Sequence, residues 1–177
     1  YAFNFRAMNT DIETLIACNQ EDYQKLSMHM EQWFQKMEQK FSRFLTTSEL
    51  HFLNTHAGKL CFVSNQMIEV LQLAQHYTEK TDGIFSIFVL DSLQRIGYDM
   101  SYDALPTIGQ MTEAINTKDR IESERMTPIA INSRMKSVQI FSETPIDLGG
   151  IVKSWSVQRL ATSLTSKLRS GLINAGG

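Results

Sequence analysis

Apolar and polar residues alternate near the start of the chain. Met8, Thr10, Ile12, Thr14 and Ile16 share one face, and Asn9, Asp11 and Glu13 the other. That period of two predicts a half-buried strand. The period then changes. Tyr23, Leu26, Met30, Phe34, Met37 and Phe41 recur every three or four positions, one stripe of an amphipathic helix from about Asp22 to Phe41. Its Met and Phe residues read as core packing, because such side chains fill gaps between elements. A Thr/Ser cluster ahead of Glu49 offers N-caps for a short helix through Asn54.

Lys59 to Val63 reads as a short strand. Ser64 or Asn65 caps a second amphipathic helix to about Lys80, with Val70, Leu73, Ala74 and Tyr77 on its face. Thr81-Asp82-Gly83 stops it with turn chemistry. Ile84 to Leu90 is strongly apolar and is either strand or buried turn. Residues 99–137 are the least regular. They hold Pro106, Pro128 and the charged stretch Lys118 to Arg125, and read as an irregular surface excursion.

Val138 to Phe141 reads as a strand. A helix then runs from near Gly150 to about Arg169, with Val157, Leu160, Ala161, Leu164 and Leu168 as its stripe. Gly171 ends it, and Leu172-Ile173-Asn174 begins another strand. No internal repeat is evident. Strands and helices are mixed without a regular βαβ series, which places the chain in the α+β class.

Composition narrows the function. The 177 residues suffice for one domain with a real core, and 42% hydrophobic with 20% charged residues excludes general disorder. A net charge of −2 argues against a general binder of nucleic acid or membrane surfaces. No apolar run reaches the roughly 18 residues of a spanning helix. Cys18 and Cys61 are too few and too far apart for a zinc ribbon or a disulfide framework, and read as buried thiols. His29, His51, His56 and His76 show no metal spacing. The ending Leu172-Ile173-Asn174-Ala175-Gly176-Gly177, a short apolar run into a glycine pair, reads as a chain cut short.

The sharpest chemical feature is Asp147-Leu148-Gly149-Gly150 between a strand and a helix. Two glycines at a helix start let backbone amides approach a ligand, and unpaired amides with the helix dipole favour a phosphate there. Lys153, one turn in, adds a point charge. Asp147 is suited to a sugar, a base or a Mg²⁺ ion that bridges to phosphate. A plain tight turn with a buried capping Asp is the competing reading. Val152 stands where a P-loop needs glycine, and Gly-x-Gly-x-x-Gly is absent, so neither a P-loop nor a dinucleotide-binding fingerprint is present. Thr81-Asp82-Gly83-Ile84-Phe85-Ser86 is either an ordinary helix-stopping turn or the lining of a nucleotide pocket.

Taken in order, these pieces resemble one family, the FAD:protein FMN transferases, or ApbE-like flavin transferases. The resemblance runs through Phe5-Arg6-Ala7-Met8-Asn9-Thr10, Phe41-Ser42-Arg43-Phe44, Ser48-Glu49-Leu50 with Leu53-Asn54, and Thr81-Asp82-Gly83-Ile84-Phe85-Ser86. It continues through Asp147-Leu148-Gly149-Gly150-Ile151-Val152-Lys153 to Asn174-Ala175-Gly176-Gly177. It covers nearly the whole chain but only the N-terminal part of a family member. The implied fold is the mixed α+β fold of that family, as a single incomplete domain over 1–177. The implied activity is Mg²⁺-dependent transfer of FMN from FAD to a Thr or Ser hydroxyl of a target protein, releasing AMP. Alternatives are FAD hydrolysis to FMN and AMP, or a non-catalytic flavin-nucleotide-binding paralogue or scaffold.

The resemblance also implies residue roles. Met8 and Phe44 would line the flavin or nucleotide site. Asp82, Ile84, Phe85 and Ser86 would meet FAD through their turn. Asp147 and Lys153 would bind FAD, with Lys153 near the diphosphate, and Asn174 and Gly176 would sit near the nucleotide. The Gly150 carbonyl would be a Mg²⁺ ligand. The departures are specific. Asn9 stands where the family has Gly, Phe44 where Tyr is common, and Ser86 where Asp is common. Ser154, Trp155 and Gln158 follow the lysine in place of Gly, Tyr and Asp. The family's later Asp and Thr metal ligands have no counterpart, and one carbonyl cannot hold Mg²⁺ alone. Many relatives are anchored in the bacterial cell envelope: the chain belongs there if it is like them, and in the cytoplasm if it truly begins near Tyr1.

Overall fold

The computed structural model describes residues 1–95, 129–142 and 145–176. In chain order the elements are β1 (Ala2–Ala7), β2 (Thr10–Ala17), α1 (Gln20–Phe41), α2 (Glu49–Thr55), β3 (Leu60–Phe62) and α3 (Asn65–Lys80). There follow α4 (Leu90–Arg95), β4 (Ile129–Asn132), β5 (Ser137–Ile140), α5 (Gly149–Leu164) and β6 (Ser170–Ala175). Contacts group these residues into two compact units, Tyr1–His51 with Leu148–Gly177, and Phe52–Asp147. The mixture of helices with antiparallel sheets is the α+β arrangement the sequence pattern predicts.

The first unit is built on a sheet in the order β1-β2-β6, antiparallel throughout. Ile12, Thr14 and Ile16 on β2 face inward, as their alternation requires. Ala7, Ile12 and Ile16 form a buried cluster with Leu26, Met30 and Phe34 of α1 and Leu160 and Leu164 of α5. Leu26, Met30, Phe34, Met37 and Phe41 of the predicted α1 stripe are all buried. The strand alternation misplaces one residue. Met8 lies in the turn of a β1–β2 hairpin, in which Ala7 pairs with Thr10, and packs only partly against the core. β1 itself, with Phe3 and Phe5 inward, is an element the sequence pattern leaves unread.

α5 stops at Leu164, short of the expected Arg169. The amides of Lys167 and Leu168 both return to the Leu164 carbonyl, and the Arg169 amide reaches the Ala17 carbonyl at 3.2 Å. The chain thereby turns straight into pairing with β2, and Gly171 lies inside β6 instead of ending the helix. Cys18 is half-buried, so only Cys61 is the fully buried thiol expected of both.

The second unit holds a sheet in the order β3-β5-β4, also antiparallel. Cys61, Val138 and Ile131 share its inner face through the register Cys61↔Val138↔Ile131. α3 begins where its cap predicts: the Ser64 hydroxyl accepts from the Met67 amide at 3.2 Å. Met67, Ile68, Val70, Leu71 and Ala74 are its buried residues, while Tyr77 is 41% exposed. Residues 129–137, placed by sequence in an irregular excursion, are β4, a turn and the start of β5. Ile129 and Ile131 pair with Ile140 and Val138, and that pairing overrides the weak local pattern. The rest of that excursion, 99–128, lies outside the described residues. Ile84 to Val89 is bend and irregular chain, with only Ile87 buried, and Leu90 opens α4.

Candidate functional site

The start of α5 is the site's chemical centre in the first unit. Its N-cap, Leu148, supplies no side-chain hydrogen bond. The Ile151 and Val152 amides both donate to the Leu148 carbonyl, at 3.1 and 3.0 Å. By position the Gly149 and Gly150 amides have no acceptor inside the helix. Both glycines are exposed to solvent, and Lys153 is half-buried one turn further on. A helix start with exposed backbone and a lysine one turn in is a place where the helix dipole favours an anion.

The same end of the first unit gathers other predicted residues. Trp155 of α5 meets Phe41 edge-on at 5.8 Å and Trp33 at 6.2 Å, so the last turns of α1 lie beside the first turns of α5. The Met8 amide donates to Glu38 Oε1 at 3.1 Å, tying the β1–β2 turn to the same stretch of α1. Gly176, with φ of +75°, runs so close to Thr10 that a Cβ there would collide with the Thr10 hydroxyl. Phe44 is 37% exposed after α1, with the Arg43 guanidinium 4.7 Å over its ring.

Asn174 is not gathered with them. It pairs with Glu13, and its side-chain amide donates to Glu13 Oε2 at 3.2 Å. That places it on the sheet face opposite the one covered by α1 and α5, because Ile12, Thr14 and Ile16 point the other way.

In the second unit, α3 ends in a Schellman motif. The Gly83 amide donates to the Thr78 carbonyl at 2.8 Å and the Asp82 amide to the Glu79 carbonyl at 3.2 Å. Asp82 takes the left-handed position, with φ of +50°. The Thr81 hydroxyl donates to the Tyr77 carbonyl at 2.8 Å and accepts from the Phe85 amide at 2.9 Å, which fixes the turn. Phe85 packs edge-on to Tyr77 at 6.0 Å. Ile84 is left 90% exposed at the tip. A large aliphatic side chain held out by a rigid turn is suited to covering an apolar ring.

Asp147 closes the second unit, its amide donating to the Ile87 carbonyl at 2.8 Å. Just before it, Ile146 is clamped by one side chain. Asn54 Nδ2 donates to the Ile146 carbonyl and Asn54 Oδ1 accepts from the Ile146 amide, both at 2.9 Å. Asn54 thus acts as a short strand for the segment that enters the glycine pair. The Leu53-Asn54 pair is the sequence signal that marks it, though nothing local shows its partner 92 residues away.

Among the described residues no group of three or more His, Cys, Asp or Glu side chains is placed to hold a metal ion. The Gly150 carbonyl, on its own, is too little for octahedral Mg²⁺. No described helix is long and apolar enough to cross a membrane.

A family model described as ApbE matches residues 8–177. The chain belongs to the ApbE family. Among solved structures it is similar to the ApbE protein of Thermotoga maritima, with 19% identity and a TM-score of 0.81 over 100% of this chain and 57% of that one. The flavin transferase ApbE of Vibrio cholerae gives 20% identity and a TM-score of 0.80, covering 100% of this chain and 57% of that chain. The Pseudomonas stutzeri flavinyl transferase ApbE gives 15% and 0.79, covering 100% and 58%. The chain therefore spans under two thirds of the length of these relatives. No curated protein matches it.

Two departures from the ApbE pattern keep their local geometry. Asn9 has φ of +59°, and Asn is among the non-glycine residues most tolerant of that conformation. The Ser86 hydroxyl accepts from the Phe88 amide at 3.1 Å, the turn bond an Asp carboxylate also makes.

Proposed function

We propose that the protein is a flavin transferase, moving FMN from FAD to a Thr or Ser hydroxyl of a target protein. In that reaction the hydroxyl oxygen forms a bond to the FMN phosphorus, the diphosphate bond breaks, AMP leaves and the hydroxyl proton is released. The observation that carries the reading is the solvent-exposed glycine pair at the start of α5, one turn ahead of Lys153, in a chain that belongs to the ApbE family.

In this reading Gly150 and Lys153 meet the diphosphate, and Asp147 binds FAD. Ile84, Phe85 and Ser86 touch FAD, as do Met8, Phe44 and Gly176. Transfer of this kind asks mainly for positioned phosphates and neutralised charge. Dependence on Mg²⁺ is part of the same proposal for the whole protein, with the Gly150 carbonyl as one ligand.

The test is incubation with FAD, Mg²⁺ and a candidate acceptor, followed by denaturing electrophoresis. A fluorescent flavin covalently attached to the acceptor is the expected result. FMN and AMP without labelled acceptor would show hydrolysis instead. FAD binding with neither product would show a flavin-binding protein without catalysis, and absence of FAD binding would refute the reading altogether.

A further inference from the structure

The β1–β2 turn holds a costly conformation. Met8 has φ of +54° and Asn9 of +59°, the two left-handed positions of a two-residue hairpin loop. Asn tolerates this; a long side chain such as Met does so at a cost of roughly 1–2 kcal/mol. Strain of that kind persists only where the surroundings enforce it. The register Ala7↔Thr10 enforces the turn from below. From the side, one group holds Met8 itself: the half-buried Glu38 carboxylate, which accepts the Met8 amide at 3.1 Å. An amide turned outward by positive φ and a helix carboxylate placed to receive it form a tether across thirty residues of sequence.

We propose that Glu38 is a positioning residue for flavin-nucleotide binding. By accepting the Met8 amide it fixes the turn on α1 and sets the direction of the Met8 side chain. This rests on the reading of Met8 as a flavin-contacting residue. The bond needs an acceptor oxygen, not a charge. Gln therefore serves at position 38 and Ala does not.

The test combines amide exchange with FAD titration on the full-length protein. By NMR, E38A is expected to speed exchange of the Met8 amide about tenfold or more, leaving the Ile12 and Thr14 amides unchanged, and E38Q to keep Met8 protected. In titrations E38A and M8A each weaken FAD binding roughly five- to tenfold, and the double variant is no weaker than M8A alone, because both act through one side chain. E38Q stays within about twofold of wild type. Unchanged Met8 exchange in E38A, additive losses in the double variant, or E38Q as weak as E38A would each overturn the proposal. If M8A binds FAD normally while Met8 exchange responds to E38A, the tether stands and the role of Met8, with Glu38 as its positioner, is refuted.

Discussion

Replacing Asn54 tests how the entry to the glycine pair is built. In N54A the Ile146 amide and carbonyl both lose their 2.9 Å partners at once. Ile146 is 0% exposed, so water reaches those groups only if the segment opens. A buried backbone group left unpaired costs about 1–3 kcal/mol, so the pair costs roughly 2–6 kcal/mol, less if the segment moves to admit water. N54D is the sharper variant. It keeps an oxygen for the Ile146 amide but turns a second one toward the Ile146 carbonyl, which has no proton to offer. Its loss at neutral pH is expected to equal or exceed that of N54A. For a chain of this size each kcal/mol lowers Tm by about 2–4 °C, so N54A is expected to melt roughly 4–24 °C lower. Urea titration with constant m-value converts the shift to free energy. Q72A is the control, since the Gln72–Ser133 hydrogen bond at 2.9 Å is exposed and its loss is expected to cost under about 0.5 kcal/mol. If N54A falls within about 0.5 kcal/mol of wild type, or N54D is as stable as wild type, the clamp does not hold Ile146.

Three further outcomes are expected. K153A should weaken FAD binding about ten- to a hundredfold, the loss of one charge-assisted contact to a diphosphate, with Tm nearly unchanged; isothermal titration measures the first and a thermal melt the second. I84S should leave stability within about 0.5 kcal/mol of wild type, because Ile84 is 90% exposed, while weakening FAD binding; equal affinity would remove Ile84 from the site. Burial pushes the Cys61 thiol above its ordinary value, with Lys59 drawing it back in part. The folded state therefore keeps the proton longer than the unfolded chain. The stability this contributes is fully present below the ordinary cysteine value and is lost as pH rises from there through the raised folded-state value. Urea midpoints from pH 8 to 10 should fall more steeply in wild type than in C61A, and equal slopes would show that Cys61 is not the linked group.

The helices were legible because their information is local. Five buried residues of α1 and the Ser64 cap of α3 can be found in any window that contains them. The turn at Asp82 was legible for the same reason, as its hydrogen bonds join residues at most five apart. β1 and its turn were not, because Met8-Asn9 carries no Gly to announce positive φ. β4 was missed because its alternation is short and its identity comes from pairing with β5.

The site divides along the same line. Gly150, Lys153, Asp82 and Ile84 stand in motifs that can be read in order along the chain. Asn54 and Glu38 act on backbone groups 92 and 30 residues away, and a side chain that replaces a ladder bond at such distance leaves no period and no spacing. Both belong to the scaffold that presents the motif residues, so their effects should appear as altered ligand affinity coupled to Met8 or to Ile146. A loss confined to overall stability in both would mean that the motifs hold their own geometry, and that the long-range hydrogen bonds only report it.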